Sequence, residues 1–113
     1  MTPESFRDLA LSFPQAEAAS HFDSADARVR NKIFASRIDR EVAVLKLTPD
    51  QQQMLCEAEP AIFTPIKGGW GAKGWTHFHT GQADEATATS ALWMAWRNTA
   101  PKTLLKLHTQ TEF

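Results

Sequence analysis

The sequence contains a single cysteine and has no large excess of charge of either sign. Cys56 has no partner for an internal disulfide bond, and a zinc site built from four cysteines is excluded. A lone thiol is consistent with a reducing compartment. The formal net charge of −1 and the pI of about 6.4 exclude a polycation of the kind typical of proteins that bind nucleic acid through overall charge.

Long apolar runs, repeats and low-complexity tracts are also missing. No stretch approaches the roughly 20 apolar residues that a membrane-spanning helix requires. The first residues lack the basic segment followed by an apolar segment that marks a signal peptide. We therefore expect a cytoplasmic protein that does not insert into a membrane. The length of 113 residues predicts one domain, residues 1–113, with a core of its own.

Caps and apolar periodicity predict three main helices. Thr-Pro pairs begin two of them at Thr2 and Thr48, and Asp84 suits the start of a third that runs to about Thr99. Pro14 and Pro60 end the first two, and a last short turn follows Pro101. The residues expected to face the core are Phe6, Leu9, Ala10 and Phe13, then Met54, Leu55 and Ala58, then Ala88, Ala91, Leu92, Ala95 and Trp96.

Short segments between the helices predict strands. They are residues 27–30, 33–38, 41–47, 62–64 and 75–80, with tight turns at 31–32 and 39–40 and a short extended piece near 19–22. The short links indicate an antiparallel arrangement. The order of helix, strands, helix, strands and helix favours an α+β fold with two layers, an antiparallel sheet with helices packed on one face. The other face is then open to solvent.

Alternation along each strand predicts which side chains lie on the open face. If Val42 and Val44 define the covered face of their strand, Ala43 and Leu45 point the other way. Phe78 is the better core residue in its strand. We therefore expect Trp75, His77 and His79 on the open face. Val29 is expected to point inward, which directs Arg28 and Arg30 outward.

Residues 67–80 concentrate two tryptophans, four glycines, two lysines and two histidines without an acid. Basic groups around an aromatic ring are typical of surfaces that bind nucleic acid or another anion. Our leading hypothesis is DNA binding, with Arg28, Arg30 and Lys32 among the phosphate contacts and Trp75 stacking on a base or sugar. The candidate binding residues are Arg28, Arg30, Lys32, Lys67, Trp70, Lys73, Trp75, His77 and His79.

Two alternatives remain for the same face. In the first, the face is a pocket for a small anionic ligand or a docking surface for a protein partner, and Trp70 and Trp75 line an apolar cleft. An enzyme that uses His77 or His79 as an acid–base group is a weaker alternative, because no Ser/His/Asp set or carboxylate pair is present. We therefore expect no catalytic residues.

Metal and phosphate-loop motifs are incomplete. His77 and His79 share a strand face, as in some zinc sites, but no third ligand is evident, so we expect neither a metal nor a cofactor. Residues 68–71 lack the lysine and the serine or threonine of a phosphate loop, and they are interpreted as a hairpin connection. Cys56 is interpreted as a small buried residue.

Several short segments, taken together with their order along the chain, carry a resemblance to a known family. They are FRDLALSFP at 6–14, RVRNKIFA at 28–35, the Thr-Pro helix start at 48–49, Pro60 with FTP at 63–65, GWT at 74–76 and APK at 100–102. Together they resemble the MmcQ/YjbR family of small bacterial proteins. The resemblance implies a CyaY-like α+β fold and a DNA-binding-like role through a double wing of hairpins. It implies no catalytic residues. The iron binding of frataxins, which share that fold, does not carry over, because the first helix lacks an acidic run.

Overall fold

The computed structural model describes residues 1–21 and 23–108, and of His21 only the backbone. Its elements are α1 (Pro3–Leu11), β1 (Ala16–His21), β2 (Ser24–Val29), β3 (Lys32–Ser36), β4 (Val42–Lys46), α2 (Pro49–Ala58), β5 (Phe63–Pro65), α3 (Gly69–Ala72), β6 (Trp75–His79), a 3-10 turn (Thr80–Gln82), α4 (Glu85–Thr99) and α5 (Lys102–His108). Among these helices, none is long and apolar enough to cross a bilayer.

The strands of the described residues form one antiparallel sheet in the order β1-β2-β3-β4-β6-β5. The first four follow one another as a meander. β6 then lies between β4 and β5, so α2 carries the chain from β4 to the far edge of the sheet. The predicted α+β fold, an antiparallel sheet with helices on one face, is confirmed.

Helices α1, α4 and α5 cover one face of the sheet and share a core with it. All five residues predicted to face inward from α4 are buried, which confirms the periodicity of that helix. The ring of Phe78 from β6 lies 5.0 Å from that of Phe6 and 5.4 Å from that of Phe63, measured between centroids. The indole Nε1 of Trp96 donates a hydrogen bond of 3.0 Å to the carbonyl of Pro14, which ties α4 to the segment after α1.

The predicted faces of β4 are wrong. Ala43 and Leu45 are fully buried among the core residues, whereas Val42 and Val44 lie on the open face. The strand is apolar at four consecutive positions, so alternation alone does not distinguish its two faces. Register decides instead, because Ala43 lies opposite Phe78 of β6.

The hairpin of β2 and β3 also differs from the prediction. Its turn is formed by Arg30 and Asn31, both with positive φ (51° and 66°), rather than by residues 31–32. Two such residues are what a type I′ hairpin turn requires. A bulge follows, because the pairing shifts between Ala27 and Arg28 and leaves Phe34 without a partner. Phe34 and its neighbour Ala35 are consequently both buried.

Three further expectations change. Met54 is 50% exposed and Ala58 is exposed, so α2 packs against the core through Leu55 and Cys56, both only partly buried. The extended piece expected near 19–22 is a strand of six residues, Ala16–His21, and Phe22 lies outside the described residues. The glycine-rich connection contains the short helix α3 rather than a plain hairpin loop.

Replacing Gly74 by alanine should strongly destabilise the protein. Gly74 has φ +106°, and an added Cβ would lie 2.0 Å from the carbonyl oxygen of Leu47. Strain and backbone collision together should cost at least about 2 kcal/mol of unfolding free energy, measured by urea denaturation. Gly81→Ala is the matched control, because nothing lies within 4 Å of its added Cβ. Its unfolding free energy should change by less than about 1 kcal/mol. Equal midpoints for both variants would contradict this account of Gly74.

Candidate functional site

One row of side chains crosses five strands on the open face of the sheet. Residues directly opposite each other in neighbouring strands point to the same side. The register therefore places together Asp26, Ser36, Val44, His77 and Thr64. The row mixes a carboxylate, two hydroxyls and an imidazole with one apolar side chain, which is unlike the covered face.

A cleft of about 610 Å³ opens over this face. Three members of the row, Asp26, Ser36 and Val44, line it, and its volume is within the range of small-molecule sites. Apolar and aromatic side chains line one part of it, and charged side chains line another. The remaining lining residues are Asp23, Ser24, Ile33, Arg37, Arg40, Ile66, Trp70 and Trp75.

The two tryptophans form the aromatic wall of the cleft. Trp75 is half-buried on β6, and Trp70, from α3, is 64% exposed. Their rings meet edge to face, with centroids 5.9 Å apart and planes at 73°. The Nζ atom of Lys46 lies 4.9 Å from the Trp75 ring centroid, and that of Lys73 lies 5.6 Å from the Trp70 ring centroid. Each indole therefore has a cation against it, which makes this wall both aromatic and positively charged.

Helix α3 is held against β6 by one glutamine. The side-chain amide of Gln52 donates to the carbonyls of Gly71 and Trp75 at 3.1 and 3.0 Å, and it also lies 3.2 Å from the Thr76 hydroxyl. Gly71 is buried, and a Cβ there would collide with the backbone of Ile66. The glycine-rich segment is thus a fixed support for Trp70.

A buried carboxylate lies on the opposite side of the cleft. Asp26 is 2% exposed, and its Oδ2 atom is 3.4 Å from Nη2 of Arg28. The Nε atom of Arg28 is buried and has no hydrogen-bond partner among the described residues. The charge of Arg28 is therefore partly offset by Asp26, and polar groups on both side chains are imperfectly paired.

Arg37 and Arg40 supply the positive charge at the end of the cleft near the β3–β4 connection. Arg40 donates a hydrogen bond of 2.7 Å to the carbonyl of Asp23 and lies 3.7 Å from the Asp39 carboxylate. Arg37 has φ 52° and forms no ion pair with a described residue. It is therefore an exposed cation at the cleft whose charge is not matched by a bound carboxylate.

His77 and His79 occupy neighbouring positions of the open face. Burial lowers the pKa of His77, and the nearby charges of His79 and Arg37 lower it further. The Nδ1 atom of His77 is buried without a hydrogen-bond partner among the described residues, whereas Nε2 of His79 lies 3.0 Å from the Thr64 hydroxyl. No three potential metal ligands converge in the part of the chain that the structure describes.

The predicted binding residues do not all lie together. Trp75, His77 and His79 share the open face, as predicted from alternation. Arg28 also lies there, half-buried and paired with Asp26. Arg30 lies in the β2–β3 turn, where its Nε donates to Gln15 at 3.0 Å.

Of the predicted lysines, Lys32 lies opposite Val29 and therefore on the covered side of the sheet. Lys67 and Lys73 are exposed between β5 and β6. The sequence hypothesis omitted several cleft residues that the structure brings together. The signal for one of them was present, because period two along β2 puts Asp26 on the same face as Arg28. The omitted residues are Asp23, Ser24, Asp26, Ile33, Ser36, Arg37, Arg40, Val44 and Ile66.

Comparison with known proteins identifies the family. A family model for YjbR matches residues 11–98, which is most of the chain. This chain belongs to the YjbR family. The resemblance stated from the sequence is thereby confirmed. No curated protein matches this YjbR chain.

A solved structure supports the fold. The crystal structure of the Deinococcus radiodurans protein DR2400, described with a DUF419 domain, is similar with a TM-score of 0.68 and 17% sequence identity. The match covers 99% of this YjbR chain and 81% of that protein. At this identity the likeness shows a shared fold.

His77 should titrate below its ordinary pKa of 6.5 in the folded protein, because burial and two neighbouring cations disfavour its protonation. NMR titration of the imidazole resonances measures this directly. The unfolded chain binds the proton more readily, so the contribution of His77 to stability is full above pH 6.5 and is lost as the pH falls through the folded-state pKa. Replacing His79 by glutamine should raise the pKa of His77. An unchanged value would show that the charge of His79 does not act on this ring.

Proposed function

We propose that this YjbR chain is a non-enzymatic binding protein whose open-face cleft takes a small ligand with a flat ring and an anionic group. The main support for this proposal is the composition of the cleft, in which two indoles lie at one side and Arg37 and Arg40 lie at another. Indoles bind planar rings by stacking or edge contacts, and guanidinium groups bind carboxylate or phosphate. The apolar floor of Ile33 and Val44 suits the body of such a ring.

The spacing of these parts supports one ligand that touches both. Lys46 pairs with Trp75, and Val44, two residues earlier, pairs with His77 and with Ser36. Two residues of strand measure about 7 Å, and Arg37 lies one residue beyond Ser36, or about 10 Å from the Trp75 row. A ring at the tryptophans and an anion at Arg37 are therefore separated by about the length of one small molecule.

The Ser36 hydroxyl of the cleft has no activating partner among the described residues, which supports a binding role. Thr64 and His79 form a hydroxyl–imidazole contact on the open face, but neither residue lines the cleft. The Ser36 hydroxyl lines the cleft and has no hydrogen bond to a described imidazole or carboxylate. A nucleophilic site needs both groups within reach of each other and of the ligand. A cytoplasmic location remains part of this proposal.

Binding should require both halves of the ligand. Isothermal titration with nucleoside monophosphates and aromatic carboxylates should show binding that is lost with ribose 5-phosphate, which has no ring, and weakened with an uncharged nucleoside. Trp70→Ala should weaken binding about 5- to 150-fold, since a ring stacked on an indole contributes about 1–3 kcal/mol. Met54→Ala is the control, because Met54 is similarly exposed but lies on α2, outside the cleft. Equal affinity for Trp70→Ala and wild type would remove the cleft from the proposal.

DNA binding is the second candidate, and the distribution of cations at one end of the sheet favours it. In the antiparallel sheet, the β2–β3 turn, the end of β4 and the β5–β6 connection all lie at the same end. This end carries basic side chains from three connections, next to the exposed indole of Trp70. They are Arg30, Lys46, Lys67 and Lys73, with Lys32 at the same end but on the covered side of the sheet. Because DNA contacts are made largely with phosphates, cations spread over one end can still follow a backbone.

Salt dependence tests this second candidate. With five phosphate contacts, the logarithm of affinity for labelled duplex should fall against the logarithm of salt concentration with a slope of roughly −4 to −5, and less steeply for a single strand. Replacing Lys67 and Lys73 together by glutamine should reduce the slope by about 2. Lys102→Gln, on α5, is the matched control. A flat slope, or no binding at low salt, would exclude DNA as the partner.

A further inference from the structure

We infer that the ring bound in the cleft is guanine, carried by a guanine nucleotide that is either free or part of a single strand. This rests on the proposed function, because it names the ligand of the same cleft. The inference is carried by the pair of Asp26 and Ser36, which lie directly opposite each other on β2 and β3 and both line the cleft.

The pair offers an acceptor beside a donor. Directly opposite residues have Cβ atoms about 5 Å apart, so the carboxylate and the hydroxyl can contact one edge of one ring. An ionised carboxylate only accepts hydrogen bonds, whereas a hydroxyl can donate. No hydrogen bond joins the Ser36 hydroxyl to another described residue, and Arg28 contacts only one oxygen of Asp26 at the long distance of 3.4 Å. Both groups therefore retain bonding capacity toward a ligand.

Guanine complements this pair better than the other bases do. Its pairing edge presents two adjacent N–H donors, at N1 and the 2-amino group, next to the acceptor O6. The two donors fit the Asp26 carboxylate, and O6 fits the Ser36 hydroxyl. Adenine and cytosine each place a ring-nitrogen acceptor beside their amino group, and uracil and thymine flank one N–H with two carbonyls. Each of these arrangements turns an acceptor toward a buried carboxylate, which is unfavourable.

The cleft has room for a bicyclic ring in this orientation. Asp26 on β2 and Trp75 on β6 are separated by β3 and β4, so their backbones lie three strand spacings, about 14 Å, apart across the sheet and two residues, about 7 Å, apart along the strands. The indoles of Trp70 and Trp75 reach into this gap from one side, and Ile33 and Val44 form its floor. A purine between them contacts the indoles while its pairing edge meets Asp26. The phosphate then lies toward Arg37 or toward Lys46 and Lys73, depending on which way the sugar leaves the cleft.

Three mononucleotides test the inference on the wild-type protein by isothermal titration. GMP has the complete edge, IMP lacks only the 2-amino group, and AMP has a ring acceptor in place of the N1 donor. We expect affinities in the order GMP, IMP, AMP, with GMP bound roughly 5- to 150-fold more tightly than AMP, the range that one good bidentate base contact provides. Equal affinities for GMP and AMP would overturn the inference.

Two variants test whether the preference for guanine comes from Asp26 and Ser36. Asp26→Asn should bring GMP and AMP within about threefold of each other, because the amide presents donors as well as an acceptor. Ser36→Ala, which leaves the contact between Asp26 and Arg28 in place, should weaken GMP and IMP binding by a similar factor without abolishing the preference for GMP over IMP. Circular dichroism verifies that each variant is folded. If Asp26→Asn does not fold, the Ser36→Ala variant and the affinities of the wild-type protein for GMP, IMP and AMP still test the inference.

The outcomes separate this inference from the proposed function. Binding of several ring-bearing anions without preference for GMP keeps the proposed function and removes guanine. Binding of none removes the cleft proposal itself. Short oligothymidylates with and without one central guanine identify the source of the nucleotide. A guanine-dependent gain in oligonucleotide affinity well above that of GMP, with a steep salt slope, assigns a single strand, and equal competition by free GMP assigns the mononucleotide.

Discussion

The burial of Phe78 between Phe6 and Phe63 decides which face of the sheet stays open. Its ring is fully buried and joins α1, β5 and β6 in one aromatic cluster. Side chains alternate along a strand, so fixing Phe78 inward fixes Trp75, His77 and His79 outward. The pairing register then fixes which side chains of β4 and β3 face the core, because a slip of one residue would move every core side chain to the solvent side. The cleft is the consequence of that constraint on the opposite face.

The sequence predicted those parts of the fold in which one face is apolar and the other polar. Helix α4 and strand β6 have this character, and the side chains predicted to face inward are buried. Strand β4 is apolar on both faces, and there the prediction is wrong. The bulge at Phe34 was not predictable, because it depends on the pairing of β2 with β3 rather than on the residues of either strand alone.

The candidate site was predictable only where its residues belong to one segment. Residues 67–80 contain both tryptophans of the cleft, and the composition of this segment indicates a binding surface. Asp26, Ser36 and Arg37 come from separate strands, and only the sheet order brings them near Trp75. The positions of the basic residues in the sequence were a weaker guide to the site. Counting Arg28 and Lys32 as parts of one patch ignored that Asp26 offsets the first and that register turns the second to the other side.

The two faces of the sheet differ in how well their polar groups are satisfied. On the covered face, Thr76 and Thr80 are buried and donate to the carbonyls of Gly74 and Glu41. On the open face, Asp26 is buried with a long contact to Arg28, and Nδ1 of His77 has no partner among the described residues.

A sequence selected for stability alone would replace such groups by apolar residues or complete their hydrogen bonds, since an unpaired buried polar atom costs about 1–3 kcal/mol. Arg37 also has a left-handed backbone conformation, which costs free energy in a residue with a side chain. The buried side-chain atoms that lack a partner among the described residues, Nε of Arg28 and Nδ1 of His77, both lie on the open face. Such local departures from stability are expected where a ligand completes the hydrogen bonds and charges that the protein leaves incomplete.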